Sequence, residues 1–410
     1  MPVRSRRINQ DRRVGGMAVT GLARSAVVVA AALTGLVVAW VGDIDGLERS
    51  PAYLLLASVL LAVGLVGSTR DISLAEVRTH LGTVLLAVTV GVVAKAALIA
   101  GVMVLAFRNP AFLVLGVAVA QIDPLAVAAM SRPDRTSARA RSILSIWASF
   151  DDPITVLLTV YVSAFALDLS GSDGGALAGA ISDRPLDLLV DLLANVAFAV
   201  GAWLLWRLLL VAGLREDNRR PVRPGVRSAL NWLAVALLIV LVLFAAWQFL
   251  MLGLAIAGLF FRPRLGPVVG RSTQAAYLVA TFLLGLLLVH GVDIVPGVVL
   301  GLAAVAAQLV VSLPITRGLP AADRSYLAWG QQNGITAVIL ALILERDFPG
   351  TVGIVATAIV VINVVHALAT VLLDRRGPGG PGTAAPADAD PPGPPRMREA
   401  PPSRTLEPDC

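Results

Sequence analysis

Cysteine is almost missing from this chain. Cys410 is the only one, which excludes intrachain disulfides and any metal site built on cysteine. Histidine is nearly as scarce: His80, His290 and His366 lie far apart and show no ligand spacing. Lysine occurs once, at Lys95. Charge is thin as well, at 15% of residues, too little to clothe a soluble domain. No glycine-rich nucleotide loop and no nucleophile–base–orienter set is present, which argues against an enzyme.

What fills the chain instead is apolar. Hydrophobic residues make up 57% of it, and the mean hydropathy is +0.81. Many runs reach the roughly 18–20 residues that cross a bilayer as a helix. The expected class is an all-α polytopic membrane protein whose partner is the lipid bilayer. Hydropathy divides the chain into about twelve transmembrane helices: 25–42, 51–67, 80–106, 110–130, 141–168, 186–212, 228–246, 248–261, 274–291, 294–316, 324–345 and 350–373. The first follows a basic stretch without a persuasive cleavage site, so it is read as a helix that stays. Three regions result: a basic N-terminus (1–24), a transmembrane domain (25–373) and a tail (374–410). Pro, Gly and Ala dominate that tail, which predicts disorder.

A net charge of +6 and a pI near 10.3 would point to nucleic acid in a soluble protein. Here the arginines fall between spans, so topology explains them and no nucleic acid is expected. Basic clusters recur in alternate loops: Arg4 to Arg13, Arg132 to Arg141, Arg215 to Arg227, and Arg262 to Arg271. The loops between carry single arginines such as Arg49, Arg108, Arg184 and Arg346. By the positive-inside rule both termini are cytoplasmic.

Against this background a few polar residues stand out inside spans. The fifth carries Asp151-Asp152-Pro153, and the fourth carries Gln121-Ile122-Asp123-Pro124. Ionisable groups at bilayer depth are costly and are kept for transport or proton relay. Asp123 lies eight residues before Ser131 and Asp151 ten after Arg141. At ~1.5 Å per residue these are depths of roughly 12 and 15 Å from one face, so the carboxylates can meet near the midplane. Pro124 removes a backbone donor and disfavours helix at Asp123, so the fourth span is expected to break there and offer carbonyls to a cation. In the eleventh span Trp329-Gly330-Gln331-Gln332-Asn333-Gly334 is a second polar interruption. Broken helices at corresponding places in two halves are the pointer to an inverted-repeat transporter. Gln331, Gln332 and Asn333 line a pathway or glue helices together. Asp187 and Asp191, near one end of the sixth span, read as interfacial, and Gly297-x-x-x-Gly301 reads as close helix packing.

Burial and a like-charged neighbour both oppose the ionised form of a carboxylic acid, so Asp152 can bind either a proton or a dehydrated cation. Lys95, mid-way along the third span, needs a partner at that depth. It is expected to pair with a core aspartate and to be released when a cation binds; a structural pair or a snorkelling side chain is the alternative.

At these residues the chain resembles the monovalent cation:proton antiporter superfamily. Asp123-Pro124 is similar to the family's Thr-Asp-Pro motif in its unwound helix. Asp151-Asp152-Pro153 resembles the Asn-Asp-Pro or Asp-Asp motif of the next helix, with Asp152 at the essential aspartate. The stretch from Asn231 to Phe261, ending Gly253 to Gly258, and the glycine-bearing eleventh span match in order and spacing. The resemblance covers roughly residues 25–373. It implies an inverted-repeat antiporter fold with two crossed broken helices and a homodimer in the bacterial plasma membrane. It also implies exchange of Na⁺ or K⁺ for H⁺ without a cofactor, the cation being held by Asp152, Asp151 and Asp123. The chain departs from the family at four places. Ile122 replaces a threonine, Trp147 a glutamate, Gln308 the basic residue of span ten, and Asn333 an arginine of span eleven. The rival readings are a cation-coupled symporter for an organic anion and a membrane sensor or channel subunit.

Overall fold

The computed structural model describes residues 26–70, 82, 86–122, 137–169, 185–214, 224–266, 268–330 and 334–376. The basic N-terminus, Asp123, Gln331, Gln332, Asn333 and the tail after Arg376 lie outside the described residues. Every regular element among those described is helical. Helices α1 (Ala26–Gly42) and α2 (Pro51–Arg70) come first. A π-turn (Ala87–Gly91) then leads into α3 (Val92–Phe107), followed by α4 (Ala111–Ala118) and the long α5 (Ala138–Leu169). Helices α6 (Pro185–Leu209), α7 (Pro224–Gln248), α8 (Met251–Phe260) and α9 (Val268–Leu287) make the middle. The chain continues through α10 (Ile294–Ile315), α11 (Ala321–Ala328), α12 (Ile335–Leu344) and α13 (Thr351–Arg376). It divides into one unit through Ala367 and a second from Leu368, which holds the end of α13 and the tail.

Eight helices among the described residues are long and apolar enough to cross a membrane: α2, α3, α5, α6, α7, α9, α10 and α13. Helices α1, α8 and α12 are apolar but shorter, and α4 and α11 have 8 residues each. Among the described residues, eight full-length spans thus fall within the twelve hydropathy runs, and parts of the third, fourth and eleventh runs lie outside those residues.

The packing is ordered around α2, 67% of whose central window is buried, against 17% for α6. Helices α7, α8, α9 and α12 lie against α2, while α3, α4, α5, α10 and α11 gather around the polar core. Leu193, Val200 and Leu204 on α6, and Ile239 and Val240 on α7, point outward; in a bilayer such faces meet lipid at no cost. Small residues let backbones approach elsewhere. A Cβ on Gly116 of α4 would overlap the backbone of Ala100 on α3. Gly297 and Gly301 of α10 press in the same way on Thr357, Ala358 and Val361 of α13, so the spaced glycine pair is a packing device.

Both interrupted spans break, and they touch each other through α4 and α12. The first breaks earlier than the sequence predicts. Helix α4 stops at Ala118, with Val119 as its cap, rather than at Asp123. The physical reason lies in a neighbouring helix: the Ile122 N–H, which would close a further turn onto the Ala118 carbonyl, is taken by Asp151 Oδ2 instead. The second span stops at Ala328 and restarts at Ile335, with Gly334 extended between them.

Candidate functional site

The site is built where α3, α5 and the chain following α4 converge. Helix α5 begins at a firm anchor. Ser137 caps it, with its Oγ accepting from the Ala140 N–H at 3.1 Å, the usual way a helix satisfies an orphan donor. Ser137 is itself held by Asp323 of α11, which accepts from the Ser137 N–H at 2.9 Å and from its hydroxyl at 2.6 Å. Asp323 is 3% exposed. The helix carrying the twin aspartates is thus tied at its start to the first half of the broken span.

Fourteen residues along α5, Asp151 meets Lys95. The ammonium donates to Asp151 Oδ2 at 2.7 Å, and neither side chain has any exposure. The same oxygen accepts the Ile122 N–H at 2.9 Å. That amide would bond to Ala118 if α4 continued, so the break hands a backbone donor to the carboxylate. Trp147 lies one turn before Asp151, on the same face of α5. Its ring centroid is 5.8 Å from Lys95 Nζ, a cation–π distance. The Trp147 ring therefore faces the lysine. Asp152 is 2% exposed and within electrostatic reach of the ammonium.

Several buried polar atoms here have no hydrogen-bond partner among the described residues. They are both side-chain ends of Gln121, Asp151 Oδ1, Thr155 Oγ and Gln308 Oε1. Such groups are rare in folded proteins, and these are free to accept or donate to water or an ion. Gln308 of α10 donates its Nε2 to the Leu327 carbonyl at 3.4 Å, at the end of α11. A neutral amide thus touches the helix end at the second break.

The structure brings together Lys95, Gln121, Ile122, Asp151 and Asp152, and sets Gln308 against the broken span. Asp123, Gln332 and Asn333 lie outside the described residues. Sequence reasoning missed Ser137 and Asp323, and the facing of Trp147 toward Lys95. A serine before an apolar helix was the available signal for the first. Nothing local signals the other two. Asp191, expected at an interface, is half-buried beside Asn195 and Gly253.

No protein-family model matches the chain, and no curated protein matches it in sequence. Solved structures do match. The sodium proton antiporter MjNhaP1 from Methanocaldococcus jannaschii, at pH 8, superposes with a TM-score of 0.57 at 16% identity. That match covers 88% of this chain and 98% of the other. A second structure of the same antiporter, from electron microscopy, gives 0.57 at 18% identity over 90% and 99%. The chain has the antiporter fold. At such identities the likeness speaks for architecture, and it extends over nearly the whole of both chains. In the antiporter fold of this chain, the core lysine projects from α3, while α10 contributes the neutral Gln308.

Proposed function

We propose that this protein is a secondary antiporter that exchanges a monovalent cation, Na⁺ or K⁺, for protons across the bacterial plasma membrane by alternating access. One observation carries the reading: a fully buried Lys95–Asp151 pair beside Asp152, at a helix break within the antiporter fold. Asp151, Asp152 and Lys95 alone carry one negative charge in excess when all are ionised, and an ionised Asp123 adds a second. Excess charge away from water is expensive, and each proton or monovalent cation bound removes one unit of it. Competition for Asp152 then couples the two fluxes. Asp123 and the Gln121 carboxamide supply further oxygen ligands, while Gln332 and Asn333 line the path on the side of the other break.

Lys95 adds a second element. Its bond engages one oxygen of Asp151, Oδ2, and leaves Oδ1 for a cation. An arriving cation competes for the same carboxylate, and the ammonium withdraws toward the Trp147 ring. We infer further that the protein works as a homodimer, with both termini cytoplasmic.

The test is proton flux from purified protein in liposomes, challenged in turn with Na⁺, K⁺ and Li⁺. Cation-driven proton movement that is lost in Asp152→Asn is the expected result. Exchange that survives the substitution moves the site elsewhere. Absence of exchange with every cation favours symport of an organic anion, although the single fixed cation such a site needs is already engaged by Asp151.

A further inference from the structure

A small cleft opens between the second half of α5, helix α6 and the turn from α7 to α8. Its walls include Val156, Val160 and Tyr161 of α5, Asp191 and Asn195 of α6, and Gln248 at the end of α7. Residues 152, 156 and 160 recur at every fourth position and share one face of α5. At ~1.5 Å rise per residue, the cleft begins about 6 Å along the helix from Asp152. It lies beyond the buried cluster on the helix that carries it.

A carboxylate, a phenol and two carboxamides converge among helices that are otherwise aliphatic, and a few convergent polar groups in an apolar cleft are the usual make-up of a binding site. Their arrangement is built rather than incidental. Asn195 donates its Nδ2 to the Asp191 carbonyl at 2.9 Å, and its Oδ1 accepts the Gly253 N–H at 2.8 Å. It therefore locks the turn of α6 that bears Asp191 against the first turn of α8. A Cβ on Gly253 would press on the Asn195 carbonyl, so only glycine allows this approach. Phe249 adopts a left-handed conformation, φ 55°, which is strained for an aromatic residue. That conformation turns the chain sharply between α7 and α8 beside Gln248. Asp191 and Tyr161 both line this space.

We propose that this cleft is a staging site for the transported cation, in which Asp191, with the Tyr161 and Gln248 oxygens, draws in a partly hydrated monovalent ion and passes it to Asp152. The inference rests on the antiporter reading and adds to it an entry site outside the twin-aspartate motif. The N-terminus of α8 carries partial positive charge toward the same cleft, and Asn195 offsets only part of it. Residence is therefore weak, which suits a site that must release its ion inward. The carboxylate raises the local cation concentration by its field.

The experiment compares wild type, Asp191→Asn and Asp191→Glu in oriented proteoliposomes. It measures KM and maximal rate for Na⁺ and K⁺ from each face, with choline chloride to vary ionic strength. Asp191→Asn is expected to raise KM about three- to tenfold from one face only. Its maximal rate should fall by less than about twofold, and the dependence of KM on ionic strength should weaken. Asp191→Glu is expected to return KM to within about twofold of wild type. A KM in Asp191→Asn that matches wild type from both faces overturns the proposal. So does equal damage in Asp191→Glu, which marks a packing role. If Asp191→Asn does not fold, Gln248→Leu at the exposed rim is expected to raise the same KM, and failure to do so overturns the proposal. Wild-type protein that moves no protons with any cation removes the antiporter reading itself, an outcome distinct from these.

Discussion

Two residues at the centre of the molecule cannot be removed separately. Lys95 and Asp151 are both fully buried and joined at 2.7 Å. Breaking a buried ion pair by deleting one partner typically costs about 3–5 kcal/mol, because the other charge is stranded. Lys95→Met is therefore expected to lower the melting temperature of the detergent-solubilised protein sharply. Adding Asp151→Asn should recover most of the loss, since a neutral amide has no charge to strand. Simple additivity of the two substitutions in the double-variant cycle would show that the pair is not coupled. Trp147 contributes at the same place through its ring. Trp147→Leu, with no quadrupole to hold the ammonium, should weaken cation release of Lys95 and be read as a raised KM in exchange.

Among the elements, α5 matters most, and its anchor lies far from its aspartates. Ser137 caps the helix and binds Asp323 through both its N–H and its hydroxyl. Ser137→Ala removes a cap and one donor to a buried carboxylate, an expected loss of about 1–2 kcal/mol. Thermal unfolding measures that directly, and a change well under that range would show that Asp323 finds another donor. The break after α4 is the other decisive element. It was legible because Pro124 is visible in the sequence. Its position was not, since the Ile122 N–H is captured by a side chain from another helix.

For the whole molecule, orientation in the bilayer is an expectation from arginine placement alone. The scarcity of cysteine makes it easy to check. Cys410 is the only thiol, so a membrane-impermeant maleimide should label the protein in inside-out vesicles and not in intact cells. Labelling of intact cells would place the C-terminus outside and reverse the assignment of every loop. The antiporter fold is shared with MjNhaP1 over 88% of this chain at 16% identity. The overall architecture thus persists where few side chains do.

Hydropathy and punctuation along the chain were enough to mark it as a polytopic helical membrane protein with two interrupted spans. Those signals are local: an apolar run must satisfy its backbone within itself in lipid, and proline and glycine act on their near neighbours. The twin aspartates were equally plain, because charge in an apolar run has few innocent explanations. The partner of Lys95 was another matter. Lys95 and Asp151 stand 56 positions apart, and which faces of α3 and α5 meet depends on how both pack with α4 and α10. The same holds for Asp191, whose place beside a cleft depends on the turn at Phe249 and the fit of Gly253 against Asn195. Contacts between helices are set by side-chain shape summed over whole faces, and only the folded chain carries out that sum.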